Sequence, residues 1–360
     1  MKERDDLLKE LEPRLKAIVE SALKNHGFTP VREKQQTILP YLDKKPHERD
    51  WILYEASCRR EKIMFFKILK YAVDYLNIKH NYCGNGRPNA FIDDIIKSHC
   101  IRLYSNYSSW RCESELEFAR SLGIIEQVYK RSTLLKYLKS PLVTSKLNEL
   151  YKLIASPIAP IESHLLADAS GIGQAYACKR WVEVRDKPEQ WRYYRKLHIL
   201  SGAKTKIVVS CKITEGKCHE SPFLPELINE RPKEFCPRYI SADAGFLSKS
   251  NVKAISKAGA IAFIKPKKNV SIPSRGISSA WGSMLRLWKE NQDLFAQYYH
   301  VRSNVESFFS QYKRKFGFTC RAKSPVSQEN EILSKIVCHN AVILARAMVE
   351  FNLDVKFMAS

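Results

Sequence analysis

Several features that mark other classes of protein are missing from this chain of 360 residues. No uninterrupted apolar run reaches the length of about 18 residues that a membrane-spanning helix needs. The 10 cysteines include no C-x-x-C pair, so their spacing predicts free, mostly buried thiols rather than a zinc or disulfide framework. Charged residues stand at the start, where a secretory signal has its apolar stretch, so we expect a cytoplasmic protein. The hydrophobic content of 44% excludes a disordered chain.

Acidic residues are few in comparison with basic ones. Lysine and arginine together number 60 against 38 aspartates and glutamates, which gives a formal net charge of +22. Such a surplus favours a polyanionic partner, because binding releases the counterions condensed around it. Nucleic acid is the leading class of partner. An anionic membrane, an acidic protein, or a charge that serves only solubility are the alternatives.

The pattern of the sequence changes near Pro157. Before it, apolar residues recur at helical spacing without a convincing strand, which predicts an α-helical region over residues 1–155. After it, apolar and β-branched runs alternate with helical stretches, which predicts an α/β domain over 156–350. The predicted strands cover residues 165–167, 191–200, 206–213, 239–242 and 260–264. A helical stretch over Asn251–Lys257, with Gly259 at its end, lies between the last two of them, which predicts a β-α-β unit.

Two of these predicted strands end in the same short phrase. Asp168 lies in Ala-Asp-Ala-Ser-Gly and Asp243 in Ala-Asp-Ala-Gly, each directly after an apolar run. A carboxylate at the end of a buried strand is held rigidly at the edge of a sheet, and small neighbours leave room for an ion or a phosphate. The alternative for each residue is an aspartate that caps the following helix.

A third acid lies in a stretch of helical periodicity near the end of the chain. At about 100° per residue, four polar residues share an arc of roughly 60°: Tyr299, Arg302, Glu306 and Lys313. Apolar residues fall on a neighbouring stripe, so one continuous helix would pack on a sheet and present the polar arc. An ordinary amphipathic helix also has a charged face. Glu306, however, is a lone acid among basic residues, as expected if a cation joins it to a phosphate.

These residues together resemble the DDE transposases of prokaryotic insertion sequences. The spacing of the four polar residues matches that group's signature, Y-x(2)-R-x(3)-E-x(6)-K, and the two aspartates precede it in the right order. The similarity covers roughly residues 85–345. It implies an RNase H-like catalytic core, a mixed sheet flanked by helices that follows the all-α region. The long interval between Asp243 and Glu306 predicts an insertion near 265–297.

The resemblance also implies an activity and a set of roles. A transposase of this group binds the terminal inverted repeats of its insertion sequence and catalyses Mg²⁺-dependent DNA cleavage and strand transfer. Asp168, Asp243 and Glu306 are then the catalytic residues and the ligands of two Mg²⁺ ions, for which Mn²⁺ can substitute. The resemblance assigns DNA and phosphate binding to three further residues: Tyr299, Arg302 and Lys313.

The expected partner is double-stranded DNA, both at the transposon ends and in the target. We expect a homodimer to bind this DNA, and we expect no membrane partner. We expect the protein to be cytoplasmic and associated with the nucleoid. The N-terminal region is predicted either to bind DNA, with a recognition segment over Ser132–Lys139, or to mediate dimerisation. Two other functions are open: a catalytically silent DNA-binding descendant of a transposase, and a structure-directed nuclease on the same core.

Overall fold

The computed structural model of the chain describes residues 51–79, 89–175, 194–267, 270 and 279–358. The residues from His47 to Ser360 form one compact unit. Three predictions lie outside the described residues in whole or in part. These are the helical region before residue 51, the first residues of the strand at 191–200, and part of the insertion at 265–297.

The described residues before the sheet are helical and contain no strand. Five α-helices follow one another: α1 (Trp51–Tyr75), α2 (Ile92–Tyr104), α3 (Glu113–Ser121), α4 (Arg131–Tyr137) and α5 (Pro141–Ala155). Gly123 has a φ of +65° just after α3, a conformation that favours glycine and ends the helix. Pro141 begins α5, where its missing N–H costs no hydrogen bond. The predicted all-helical region is therefore confirmed for this part of the chain.

A mixed sheet forms the second half of the unit. Its six strands are β1 (His164–Gln174), β2 (Tyr194–Gly202), β3 (Val208–Glu215), β4 (Tyr239–Ala242), β5 (Ile261–Ile264) and β6 (Thr319–Cys320). The strand order is β3-β2-β1-β4-β5, and β6 pairs with the end of β1. Strand β2 pairs antiparallel with both β1 and β3, whereas β4 pairs parallel with β1 and β5 pairs parallel with β4. This is a mixed sheet flanked by helices, as predicted, with β1 at its centre.

The central strand is longer than the sequence predicts. The apolar run covers only residues 165–167, but antiparallel pairing with β2 continues from Leu165 to Gly173. The parallel neighbour β4 ends at Ala242, opposite Ala167. The prediction that Asp168 ends a strand is therefore wrong: it lies inside β1, because pairing on one side outlasts pairing on the other.

The predicted β-α-β unit is present after the long β2–β3 hairpin. A short helix, α6 (Leu224–Asn229), leads to β4, and α7 (Lys249–Lys257) connects β4 to β5. The Ser248 hydroxyl caps α7 by accepting a hydrogen bond of 3.1 Å from the Asn251 N–H. Gly259, with a φ of +79°, follows the helix. These boundaries come from local signals, and the sequence predicts them closely.

The predicted continuous helix that carries the polar arc is interrupted. The structure has α8 (Ala280–Glu290), α9 (Gln292–His300), a 3₁₀ turn over Val301–Ser303 and α10 (Asn304–Phe316). The Ser303 hydroxyl donates to the His300 carbonyl at 2.9 Å, and the Asn304 amide donates to the Ala203 carbonyl at 3.2 Å. Such side-chain bonds to the backbone compete with a regular helix. The apolar stripe of α10 is nevertheless buried as predicted: Val305, Phe308, Phe309, Tyr312 and Phe316.

The last helix, α11 (Pro325–Glu350), joins the helical region to the sheet. A window of 18 residues in it has a mean hydropathy of 1.5, which would suit a membrane span, but 83% of that window is buried inside the protein. The Asn340 side chain accepts from the Val208 N–H at 2.9 Å and donates to the Tyr151 carbonyl at 3.1 Å. The buried apolar residues before and after residue 155 form one core. The assignment of DNA binding or dimerisation to residues 1–155 and of catalysis to residues 156–350 stays a prediction.

Candidate active site

Asp168 lies in β1, and Asp243 directly follows the neighbouring strand β4. Ala167 on β1 pairs with Ala242 on β4, so the next residue along each chain is an aspartate. Asp243 precedes a 3₁₀ turn, but its carboxylate makes no capping hydrogen bond to that turn. Asp168 Oδ1 accepts from the adjoining Ala169 N–H at 2.8 Å, within the strand. Neither carboxylate caps a helix, so the alternative reading of these residues does not hold.

The Arg302 guanidinium connects the proposed acidic residues. Its Nη2 donates to Glu306 Oε1 at 3.0 Å, and its Nη1 lies 3.7 Å from Asp168 Oδ2. The Tyr299 side chain lies close enough to the same guanidinium for each group to shift the pKa of the other. Arg302 lies in the 3₁₀ turn that interrupts the predicted helix. Its guanidinium is therefore close both to Glu306, which follows in the sequence, and to Asp168 on β1.

Lys313 reaches β1 from the following helix. Its Nζ donates to the Ser170 hydroxyl at 2.6 Å. Ser170 is two residues beyond Asp168, and side chains two residues apart in a strand lie on the same face. The ammonium group is thus beside the aspartates. All six predicted site residues belong to adjoining elements: β1, the end of β4, α9, the 3₁₀ turn and α10.

The electrostatic environment of Asp168 is unusual for a carboxylate. Burial raises the pKa of Asp168 to about 6, although the Ala169 N–H and the Arg302 charge oppose the shift. The negative charges of Glu220 and Asp243 also raise this pKa. Burial and the two neighbouring carboxylates destabilise the charged form of Asp168, and a bound cation would offset this destabilisation.

A family model described as Transposase DDE domain matches residues 159–341, just over half of the chain. The chain belongs to the transposase DDE domain family. The match runs from the turn before β1 into α11 and includes all six site residues. The prediction of a DDE transposase, an enzyme, is therefore confirmed.

One solved structure is also similar to this DDE transposase. It is the cryo-EM structure of the piggyBac transposase synaptic complex with hairpin DNA, at 14% sequence identity and a TM-score of 0.38. The alignment covers 82% of this chain and 76% of that one. No curated protein matches the sequence at a significant level.

Two charged residues beside the aspartates were not predicted from the sequence. Lys196 on β2 pairs with Glu220, with its Nζ 2.7 Å from Oε1. Glu220 Oε2 and Asp243 Oδ2 lie 3.8 and 4.0 Å from the point where a Cβ on Gly245 would be. The DDE transposase therefore has a fourth carboxylate at this edge. No sequence pattern indicates it, because Glu220 follows β3 in a turn and reaches the site only through the fold.

The donor set of the DDE transposase fits Mg²⁺ in its chemistry. Carboxylate oxygens are the hard ligands that this ion prefers, and Asp168 and Asp243 offer them on adjacent strands. Among the described residues, no three acidic, histidine or cysteine side chains are grouped closely enough to hold a metal ion as they stand. The Glu306 carboxylate is bound to Arg302 instead. Metal binding by all three acids therefore requires Glu306 to exchange this partner.

Proposed function

We propose that this DDE transposase binds the terminal inverted repeats of its insertion sequence and catalyses Mg²⁺-dependent DNA cleavage and strand transfer. The observation that supports this most directly is that Asp168 and Asp243 directly follow the paired residues Ala167 on β1 and Ala242 on β4, with Arg302 linking Asp168 to Glu306. The net charge of +22 suits a partner with the charge density of DNA.

We assign Asp168, Asp243 and Glu306 as the residues that would hold two Mg²⁺ ions, with Mn²⁺ as a substitute. When bound, the ions would activate the attacking water or 3′-hydroxyl and neutralise charge at the phosphate. The raised pKa of Asp168 means that its charged form is destabilised in the metal-free protein. A neighbouring cation would stabilise that charged form. Asp243 would hold its carboxylate rigidly, because it directly follows a buried strand.

Arg302 and Lys313 are proposed to bind phosphate oxygens of the DNA. A guanidinium can donate two parallel hydrogen bonds to a phosphate, as it does to a carboxylate. Exchange of Glu306 for a phosphate at Arg302 would free the glutamate for the metal site at the moment DNA arrives. Lys313 is held beside Asp168 by Ser170, and Tyr299 is proposed to contact the DNA.

The remaining assignments concern the whole protein. The helical region over 1–155 is proposed to bind DNA or to mediate dimerisation, and the domain over 156–350 to carry catalysis. Transposon ends and target DNA would be bound by a homodimer, since two ends must be joined. We propose a cytoplasmic location in association with the nucleoid.

The test uses duplex DNA copied from the regions that flank the coding sequence. Wild-type protein and Asp243→Asn are incubated with Mg²⁺ and with EDTA, and products are resolved at nucleotide resolution. Mg²⁺-dependent cuts at a reproducible end, followed by joined products and absent in the variant, are the expected result. Tight binding without cutting in both proteins would instead indicate a silent DNA-binding descendant. Cutting without end preference or joining would indicate a nuclease.

A further inference from the structure

A loop between α2 and α3 presents exposed aromatic and basic side chains. Trp110 in this loop is 71% exposed. The Arg131 guanidinium, at the start of α4, lies 4.3 Å from the centroid of the Trp110 ring. Arg131 Nε also donates to the Ser109 hydroxyl at 3.1 Å. The two side chains therefore form an ordered cation–π pair at the surface.

The same loop lines an open pocket of about 430 Å³. Two arginines and three neutral polar residues line it, and none of them is acidic: Asn106, Tyr107, Ser108, Arg111 and Arg321. The Ser108 hydroxyl accepts from the Arg111 N–H at 3.3 Å, and the Ser108 carbonyl accepts from the Cys112 N–H at 3.1 Å. Guanidinium, hydroxyl and amide donors in a concave site are the groups that recognise a phosphate.

Arg321 fastens this loop to the catalytic sheet. Its Nη1 donates to the Tyr107 carbonyl at 3.2 Å, and its Nη2 donates to Asn106 Oδ1 at 3.1 Å. Arg321 directly follows β6, which pairs with the last two residues of β1. The loop of the helical region is thus anchored to the end of the strand that carries Asp168.

The distance along β1 gives the spacing between the loop and the catalytic residues. Gln174, which pairs with Cys320, is six residues beyond Asp168. At about 3.3 Å per residue this interval spans about 20 Å. A duplex that extends in the same direction covers it with about six base pairs, at about 3.4 Å each.

We propose that the pocket and the Trp110–Arg131 pair bind the phosphate backbone of the DNA duplex that leaves the catalytic centre, about six base pairs from the cleaved phosphate. The proposal rests on the proposed function and adds a second DNA contact to it. Arg111 donates to phosphate oxygens in the pocket, and the indole packs against the adjoining sugar. The acidic residues that begin α3, Glu113, Glu115 and Glu117, limit the DNA contact to the loop.

The first experiment measures binding of a fluorescein-labelled duplex, copied from the regions that flank the coding sequence, by anisotropy over a range of salt concentrations. Arg111→Ala should reduce the slope of log K against log salt by about one unit. Trp110→Ala and Arg111→Glu should each weaken binding by roughly tenfold. Arg120→Glu is the matched control, since Arg120 is exposed on α3 and outside the pocket. It should bind like the wild type, and all variants should keep the wild-type unfolding temperature.

A second experiment locates the contact. A neutral methylphosphonate about six base pairs from the cleavage point should weaken binding by the wild type but not by Arg111→Ala. Equal affinity of the wild type and both Arg111 variants at every salt concentration would overturn the proposal. So would an equal loss in Arg120→Glu, no binding of duplex by the wild type, or polyglutamate competing as well as DNA.

Cleavage of the same duplexes is scored separately, so that the two proposals fail independently. Mg²⁺-dependent cleavage by the wild type, with binding that does not depend on Arg111, contradicts only the phosphate contact. Binding that depends on Arg111, without any cleavage, contradicts only the proposed function.

Discussion

Arg302 and Glu306 are hydrogen-bonded at 3.0 Å across the junction between the 3₁₀ turn and α10. The same guanidinium lies 3.7 Å from Asp168, so one cation lies between two carboxylates that would otherwise repel each other. The Glu306 side chain is 65% exposed, and without this bond it would sample several rotamers. The contact therefore sets the orientation of the third proposed catalytic acid before DNA arrives.

Replacing Arg302 should affect catalysis more than folding. We expect Arg302→Ala to lower the rate of DNA cleavage by roughly 100-fold, because a donor to the phosphate and the orientation of Glu306 are lost together. Arg314→Ala is the control: Arg314 is exposed on α10, the helix that follows the 3₁₀ turn, and donates to Ser310. Single-turnover cleavage rates at saturating protein measure the difference. A wild-type rate for Arg302→Ala would show that the guanidinium is not needed.

The stability of the metal-free protein should depend on pH through Asp168. Its pKa is about 6 in the folded protein against an ordinary value of 3.8, so the folded state binds more protons between these values. The free energy of unfolding should therefore fall as pH rises through this interval. Asp168→Asn should remove this decrease, which amounts to about 3 kcal/mol at most. Urea denaturation in EDTA at about pH 4 and about pH 7 measures the free energy of unfolding of both proteins. An equal change in the wild type and in Asp168→Asn would contradict the prediction.

Glu220 should tune the same transition. Glu220→Gln removes a negative charge near Asp168 and leaves Lys196 without its carboxylate partner, and both changes lower the pKa of Asp168. The interval over which stability falls should then move to lower pH. Glu230→Gln is the matched control, since Glu230 pairs with Lys152 elsewhere. If both variants follow the wild-type curve, the charge of Glu220 does not act on Asp168.

Mg²⁺ should stabilise the folded protein through the two aspartates. A concentration one hundred times the dissociation constant stabilises a protein with one site by about 2.7 kcal/mol. The unfolding temperature of the wild type should therefore rise with Mg²⁺. It should rise equally for the control Asp293→Asn, which changes an acid in the first turn of α9. Asp243→Asn should show no such shift. Equal stabilisation of all three proteins would place the ion elsewhere.

Lys313 should contribute one phosphate contact. We expect Lys313→Ala to weaken DNA binding and to reduce the salt dependence of binding by about one unit of slope. Lys289→Ala, an exposed lysine in the last turn of α8, serves as control. Filter binding over a salt series compares the two. An unchanged slope in Lys313→Ala would mean that its ammonium group remains bound to Ser170 when DNA is present.

The parts of the fold that the sequence predicts closely depend on local signals. The run Tyr239–Ala242 is β4, and the stretch around Asn251 with the following glycine is α7. Periodicity also identifies the buried stripe of α10. These patterns arise because the side chains on the buried face of a helix or strand recur at a regular spacing along the chain. That spacing can be recognised without knowing what packs against the face.

Other features depend on contacts between residues distant in the chain. β1 continues past its apolar run because β2 supplies hydrogen bonds on one side. The predicted helix breaks near Asn304, whose side chain bonds to Ala203. Glu220 lies beside the aspartates only because the β2–β3 hairpin returns to the same edge. None of these partners is near in sequence, so no local pattern could indicate them.

The order of residues along the chain is enough to predict the family and the six residues of the proposed site, because their chemistry requires particular side chains in a particular order. Their arrangement depends on the fold: Arg302 lies between Asp168 and Glu306, Lys313 is bonded to Ser170, and Glu220 is a fourth carboxylate. Electrostatic interactions depend on distance and burial rather than on order along the chain. The charge state of the site is therefore a property of the fold.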